Sequence, residues 1–431
     1  MKRVGANWNP EDEQFWEREG RKIANRNLWI SVFALTLAFI VWQIWSIAAA
    51  RLNDIGFNLT PSQLFTLAAL PGLVGATLRI FYTFFVGIFG GRNWTVISTA
   101  MLLIPAIGIG VAVQNPDTSF TTLAILAAMC GFGGGNFSSS MANISFFFPK
   151  KHKGFALGIN AGIGNLGVSV VQFVTPLVIT AGMFGALGGS GQLLENGDHI
   201  WLQNAAYFWV IPIVVVVVAA MFCMDNIPSA KQSFKEQAVI FKRKHTWIMT
   251  WLYTMCFGSF IGFAAVFPLL INSEFPELNV MHLSFLGPLV GAAFRPVGGW
   301  IADKLGGARV TFWDFAVMIL ATFGVVYFLE QHNFAGFLTM FLILFTTTGI
   351  ANGSTFRMIP IIFPEKEAAP VLGFTAAIAA YGAFFIPKLF GWSIEQSGSA
   401  VSALYILIAL YVISLGINWY YYARSNAEIK C

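Results

Sequence analysis

Long apolar stretches separated by short polar punctuation dominate the chain. Each runs for roughly 20 residues or more, enough for an α-helix rising ~1.5 Å per residue to cross a hydrocarbon core about 30 Å thick. Twelve such spans are expected, over 28–50, 63–88, 94–114, 118–148, 153–184, 202–223, 246–272, 279–302, 310–329, 334–362, 369–392 and 398–423. Inside a bilayer every backbone polar group must find its partner within the segment, so helices are the expected form. Ahead of the first span, WNPEDEQFWEREGRKIANRN is too polar and acidic for a signal peptide. It predicts a short, solvated surface helix, with Asn9 as N-cap, Pro10 in the first turn and Glu11, Asp12 and Glu13 at the positive end of its dipole.

Composition agrees with the pattern: 57% of the 431 residues are apolar, 16% aromatic and only 10% charged, against about 25% charged in a soluble domain. The chain reads as an integral membrane protein. Its lysines and arginines fall on one set of loops. Six precede the first span, and Arg92, Lys150, Lys151, Lys153, Lys231, Lys235, Lys242, Arg243, Lys244, Lys304, Arg309, Lys366, Arg424 and Lys430 follow on the same side, while the opposite loops hold Arg51 alone. Short cytoplasmic loops retain such residues, which places both termini in the cytoplasm. The net charge of +5 orients the chain in its lipid bilayer, and no nucleic-acid partner is needed to explain it. Cys130, Cys223, Cys256 and Cys431 have neither metal-ligand nor disulfide spacing. With no HExxH, no paired acids within a span and no His or Cys cluster, the sequence offers no catalytic residue, metal site or cofactor site, and it reads as something other than an enzyme.

Slid against itself by 216 residues, the chain aligns LPGLVGATLRIFYTFFVGIFGGRNWT (70–95) with LGPLVGAAFRPVGGWIADKLGGARVT (286–311). Leu73/Leu289, Val74/Val290, Gly75/Gly291, Ala76/Ala292, Arg79/Arg295, Gly90/Gly306, Gly91/Gly307 and Thr95/Thr311 are among the matches. Shifts of 215 and 218 extend the correspondence to SSSMANISFFFP (138–149) with GSTFRMIPIIFP (353–364), and to Phe39 with Phe257. The expected fold is all-α: twelve transmembrane helices in two six-helix halves related by a pseudo-twofold axis, with a substrate site at mid-membrane. The expected organisation is a cytoplasmic segment 1–27, a first half 28–223, a cytoplasmic linker 224–245, a second half 246–423 and a tail 424–431. Gly154, Gly158 and Gly162 lie on one face of span five, and Ala369, Gly373 and Ala377 on the matching face of span eleven. Such faces let helices pack closely or slide. GFGGGNF (131–137) lies within a span and lacks the lysine of a phosphate loop.

Arg79 and Arg295 stand inside spans, where an arginine costs ~2.5–3.5 kcal/mol on insertion scales and usually faces a cavity on a substrate path. No acidic residue falls at the middle of a span; Asp303 and Asp314 come nearest, at the cytoplasmic ends of spans eight and nine. Two uncompensated guanidinium groups predict an anion as counter-charge, and their planar fork of donors suits a planar oxyanion. A small monovalent anion fits better than a phosphate monoester. Tyr253 and Phe257 stand four apart on one helix face, Phe137 is mid-span, and Asn160 and Asn165 add neutral donors, so a flat anion held between rings and gripped at its edge is a coherent site. Lys388 and Arg357 lie towards span ends, where they either snorkel or draw anions in.

These residues resemble the nitrate/nitrite porter family of the major facilitator superfamily, close to its NarK-type bacterial antiporters. The likeness covers all twelve spans and is most specific in GFGGGNFSSSMANISFFFPKKHKGFALGINAGIGNLGVSVVQ (131–172) and LGFTAAIAAYGAFFIPKLFG (372–391). GWIADKLGGARV (299–310) is similar to the superfamily's conformational-latch loop, and its first-half counterpart GIFGGRNW (87–94) lacks the aspartate. By that resemblance Arg79 and Arg295 bind nitrate, surrounded by Tyr253, Asn165, Phe137, Phe257 and Phe39, and Asp303 and Arg309 serve conformational gating; the residue pattern adds Asn160 to the site and Gly158, Gly162, Gly164 and Gly373 to the gating set. Arg357 departs from the antiporter pattern. The activity it implies is nitrate exchanged for nitrite by alternating access across a bacterial inner membrane, by a monomer and without a cofactor; proton-coupled nitrate symport is the alternative. A receptor without flux would need an output domain, and the sequence shows none.

Overall fold

The computed structural model describes residues 8–194, 197–227 and 238–431. Lys231 and Lys235 of the expected linker, and the side chains of Lys366 and Ala369, lie outside the described residues. The chain is helical nearly throughout. We number the long helices α1 Glu13–Arg51, α2 Pro61–Phe89, α3 Gly91–Ala112, α4 Phe120–Phe147, α5 Lys150–Val178, α6 Asn204–Cys223, α7 Lys244–Glu274, α8 Leu286–Leu305, α9 Gly307–Glu330, α10 Phe334–Ile362, α11 Pro370–Ser397 and α12 Val401–Ala423. Among the described residues eleven helices are long and apolar enough to cross a membrane. α8 completes the expected twelve at 20 residues, its apolarity diluted by Arg295, Asp303 and Lys304. A two-stranded antiparallel ribbon, β1 Gln192–Leu193 with β2 His199–Ile200, sits between α5 and α6.

Two compact units emerge: residues 1–57 with 74–233, and 58–73 with 234–431. In the first, α1 packs against α4 and α5; in the second, α10 packs along α8 and α9, and α7 against α11. The repeat-related helices α1 and α7 are the most enclosed, 83% and 89% buried over their apolar windows, where the other spans lie between 22% and 56%. Repeat equivalence extends to single contacts. Gly90 and Gly306 both take positive φ, 84° and 90°, at the turns after α2 and α8. A Cβ on the next residue would strike Asn143 in one half, at Gly91, and Met358 in the other, at Gly307; 143 and 358 are themselves equivalent at the shift of 215.

The N-terminal segment differs from its reading as a separate solvated helix. Asp12, not Asn9, is the N-cap, its carboxylate accepting from the Gln14 and Phe15 N–H groups, while the Asn9 side chain accepts from Glu11 N one turn earlier. A π-helical turn, Trp16–Gly20, joins this start directly to the first span. The segment is held down: Trp16 is buried, Trp8 Nε1 donates to Phe146 O at 3.0 Å, and the Glu11 carboxylate accepts from Lys150 N at the start of α5. Apolar tryptophans at two positions outweigh the polar average that hydropathy reports. The head of the linker is likewise pinned, with buried Asp225, two residues after α6, paired to Arg26 and doubly bonded to Asn27, at 2.9 Å in each direction.

Candidate functional site

Four glycines seat the first arginine. A Cβ at Gly131 would lie 2.5 Å from Val74, at Gly133 2.0 Å from Ala38 O, at Gly134 2.7 Å from the Trp42 ring, and at Gly135 2.8 Å from the Tyr82 ring. The run GFGGGNF therefore lets α1 and α2 close onto the backbone of α4. Arg79, fully buried on α2, donates from Nε to Gly134 O at 2.9 Å. Its guanidinium carbon stands 4.7 Å from the Phe137 ring and 5.1 Å from that of Trp42. Phe39 meets both rings edge-on, at 6.2 Å from Phe137 and 5.3 Å from Trp42. A cation over ring faces is stabilised electrostatically without being neutralised.

On α5 of the same unit, Gly164 packs on Leu35 and Gly167 on Thr36 O and Phe39. Asn165, between them, is buried with neither amide atom hydrogen-bonded among the described residues. Buried polar atoms are ordinarily paired, and an orphan points to a ligand, a water or strain. Asn160 donates from Nδ2 to Ser140 Oγ at 2.9 Å, while its Oδ1 is buried without a hydrogen-bond partner among the described residues. Gly154, Gly158, Gly162 and Gly373 have no atom within 4 Å of where a Cβ would stand, so close helix packing does not require glycine at these places.

The second unit builds its arginine differently. α8 and α10 touch through glycines, since a Cβ at Gly298, Gly349 or Gly353 would lie 2.2 Å from a carbonyl oxygen of the facing helix. Arg295 on α8 donates from Nη2 to the Tyr253 hydroxyl at 3.3 Å, and its Nη1 is buried without a hydrogen-bond partner among the described residues. Phe356 of α10 lies 5.4 Å from its guanidinium carbon. Tyr253 and Phe257 stack at 5.6 Å and 9°. Two ring-to-plane contacts need about 7 Å, so no planar ion fits between these two rings, and any anion meets them from outside the stack. Tyr253 precedes and Phe257 lies within a π-helical turn, Thr254–Gly258 in α7, a distortion that recurs at functional sites.

Around these two clusters the charges are engaged. Asp303, the acid nearest in sequence to Arg295, pairs with Arg357 of α10, while Arg309 is exposed and takes no ion pair among the described residues. Lys388 donates to Thr66 Oγ1 at 2.8 Å. Asp314 lies eight residues along α9, in its first third as expected, and is buried there, 6% exposed. Trp42 and Phe356, the ring partners of the two arginines, were not among the residues picked from the sequence. Trp42 lies one helical turn beyond Phe39 on the same face, a spacing that marks it; Phe356 carries no comparable signal.

The chain matches the Major Facilitator Superfamily over residues 28–387. It is 46% identical to the nitrate/nitrite transporter NarU of Escherichia coli K12, over 98% of this chain and 97% of that protein. It is 43% identical to the probable nitrate/nitrite antiporter NarK2 of Thermus thermophilus, over 99% and 98%. Among solved structures it resembles a D-xylose-proton symporter, with a TM-score of 0.74 at 16% identity over 92% of this chain and 97% of that one. A bacterial homolog of the human lysosomal transporter Spinster gives 0.73 at 14% over 92% and 96%.

Proposed function

The chain belongs to the major facilitator superfamily and is a nitrate/nitrite transporter of it, and from that premise we propose that it works by obligatory exchange, nitrate for nitrite, across a bacterial inner membrane. Arg79 and Arg295 grip the anion. Tyr253, Asn165, Asn160, Phe39, Phe137 and Phe257 line its site, and both termini lie in the cytoplasm. The observation that carries this reading is the repeat-related pair of guanidinium groups, each seated against aromatic rings.

Arginine stays protonated, so the pair is permanently charged. At an effective dielectric near 20, a unit anion about 4 Å from one guanidinium gains ~4 kcal/mol before desolvation is subtracted. Returning empty would leave like charges uncompensated in a low-dielectric site. Returning with nitrite keeps them neutralised, and a monovalent-for-monovalent exchange moves no net charge. Labelled nitrate entering nitrite-loaded proteoliposomes should be competed by external nitrate and nitrite and left untouched by phosphate or sulfate. Competition by phosphate as strong as by nitrate would defeat the assignment of a small, planar, monovalent ion.

A further inference from the structure

Asp314 is a buried acid that the exchange reading leaves unused. It sits two turns inside α9, and its Oδ2 has no hydrogen-bond partner among the described residues. The helices packed around it supply neutral groups. α10 approaches through Ser354, bonded to Thr311 Oγ1 at 2.7 Å one turn earlier. α12 approaches through Tyr411, 6.4 Å ring to ring from Phe315, and Asn418, which donates to Ala308 O and leaves its own Oδ1 unpartnered. Cys256 of α7, buried toward Thr355 of α10, is the further titratable group. The charged groups nearby are taken up elsewhere: Arg357 on Asp303, Lys304 over the Trp300 ring, Arg424 over the Tyr420 ring, with Arg309 exposed. No cation pairs with Asp314 among the described residues.

Burying a charge without a partner is strongly unfavourable, and a proton is the usual means of neutralising it. α10 also carries Phe356, 5.4 Å from the Arg295 guanidinium carbon, and a Cβ at Gly353 would lie 2.2 Å from Arg295 O, so the helix that meets α9 one turn from the acid is the one that seats Arg295. Resting on the transport reading above, we infer that Asp314 is a proton-binding site whose occupancy sets the rate of anion exchange. The neutral acid lets α10 pack on α9. Loss of the proton places a buried, unpaired negative charge beside that packing and disturbs the Phe356–Arg295 contact. The active form is thus present at low pH and is lost as pH rises.

The test is nitrate–nitrite exchange by the full chain in proteoliposomes, with the same pH on both sides, from about pH 6 to about pH 9. The wild-type rate is expected to fall by about tenfold per pH unit above its midpoint. Asp314→Asn, which has no proton to lose, should hold its low-pH rate throughout, and Asp314→Glu should keep the decline with a displaced midpoint. A flat wild-type profile, an Asn variant that still declines, or a Glu variant with the wild-type midpoint would each overturn the inference. If the Asn variant does not accumulate, the Glu variant and the wild type decide. Wild-type protein that exchanges nothing at any pH would strike the transport reading itself, a different failure from a flat profile.

Discussion

A guanidinium seated on rings and a carbonyl is positioned without losing its charge, and that sets what substitution should do. Arg79→Lys and Arg295→Lys keep the charge and lose the planar fork. Losing charge-assisted hydrogen bonds costs about 1.5–3 kcal/mol, so the nitrate half-saturation concentration should rise by roughly 10- to 150-fold in each variant, read from concentration-dependent exchange. Phe356→Ala and Trp42→Ala remove one ring from each guanidinium. Each should weaken nitrate binding by a few-fold, in keeping with the ~0.5–2 kcal/mol of a cation–ring contact. The arginines were legible in the sequence because a polar residue in a span stands out and because 79 and 295 match at a fixed shift. Their ring partners were not, since with 43 Phe and 14 Trp in the chain an aromatic residue in a span carries almost no information. The burial of Asp314 was not legible for a related reason: hydropathy marks where a span ends, not which side of a helix is covered.

At the scale of helices, glycine does two different jobs, and a sequence shows both as the same letter. At Gly133 a side chain would collide with the Ala38 carbonyl. Gly133→Ala should therefore destabilise the protein by about 1–3 kcal/mol, the usual cost of overpacking, seen as a lowered melting temperature in detergent. At Gly158 nothing lies within reach, and Gly158→Ala should leave stability unchanged or raise it by up to ~1 kcal/mol through helix propensity. Slower exchange by a Gly158→Ala protein of undiminished stability would assign that glycine to the transport cycle, whereas unchanged exchange would remove it from the gating set. The π-helical turns in α1 and α7 left no trace in the residue pattern, because periodicity constrains which face is apolar and not how one turn is wound. The continuous run from Asp12 into the first span was hidden by the charges of the segment, although Trp8 and Trp16 were the residues that tied it down.

For the whole molecule, the repeat was the most readable feature, and it reaches from Arg79/Arg295 down to the glycines at 90 and 306, which share a left-handed backbone. Each unit supplies one arginine and its own rings, and the proposal joins them on one anion. Exchange is the claim that most depends on that joining. It is tested most directly by labelled nitrate uptake into proteoliposomes loaded with nitrite, beside empty ones under an imposed pH gradient. The account predicts uptake only where nitrite is inside, lost in both Arg79→Lys and Arg295→Lys at low nitrate. Accumulation in the empty vesicles, driven by the proton gradient, would contradict it and establish symport.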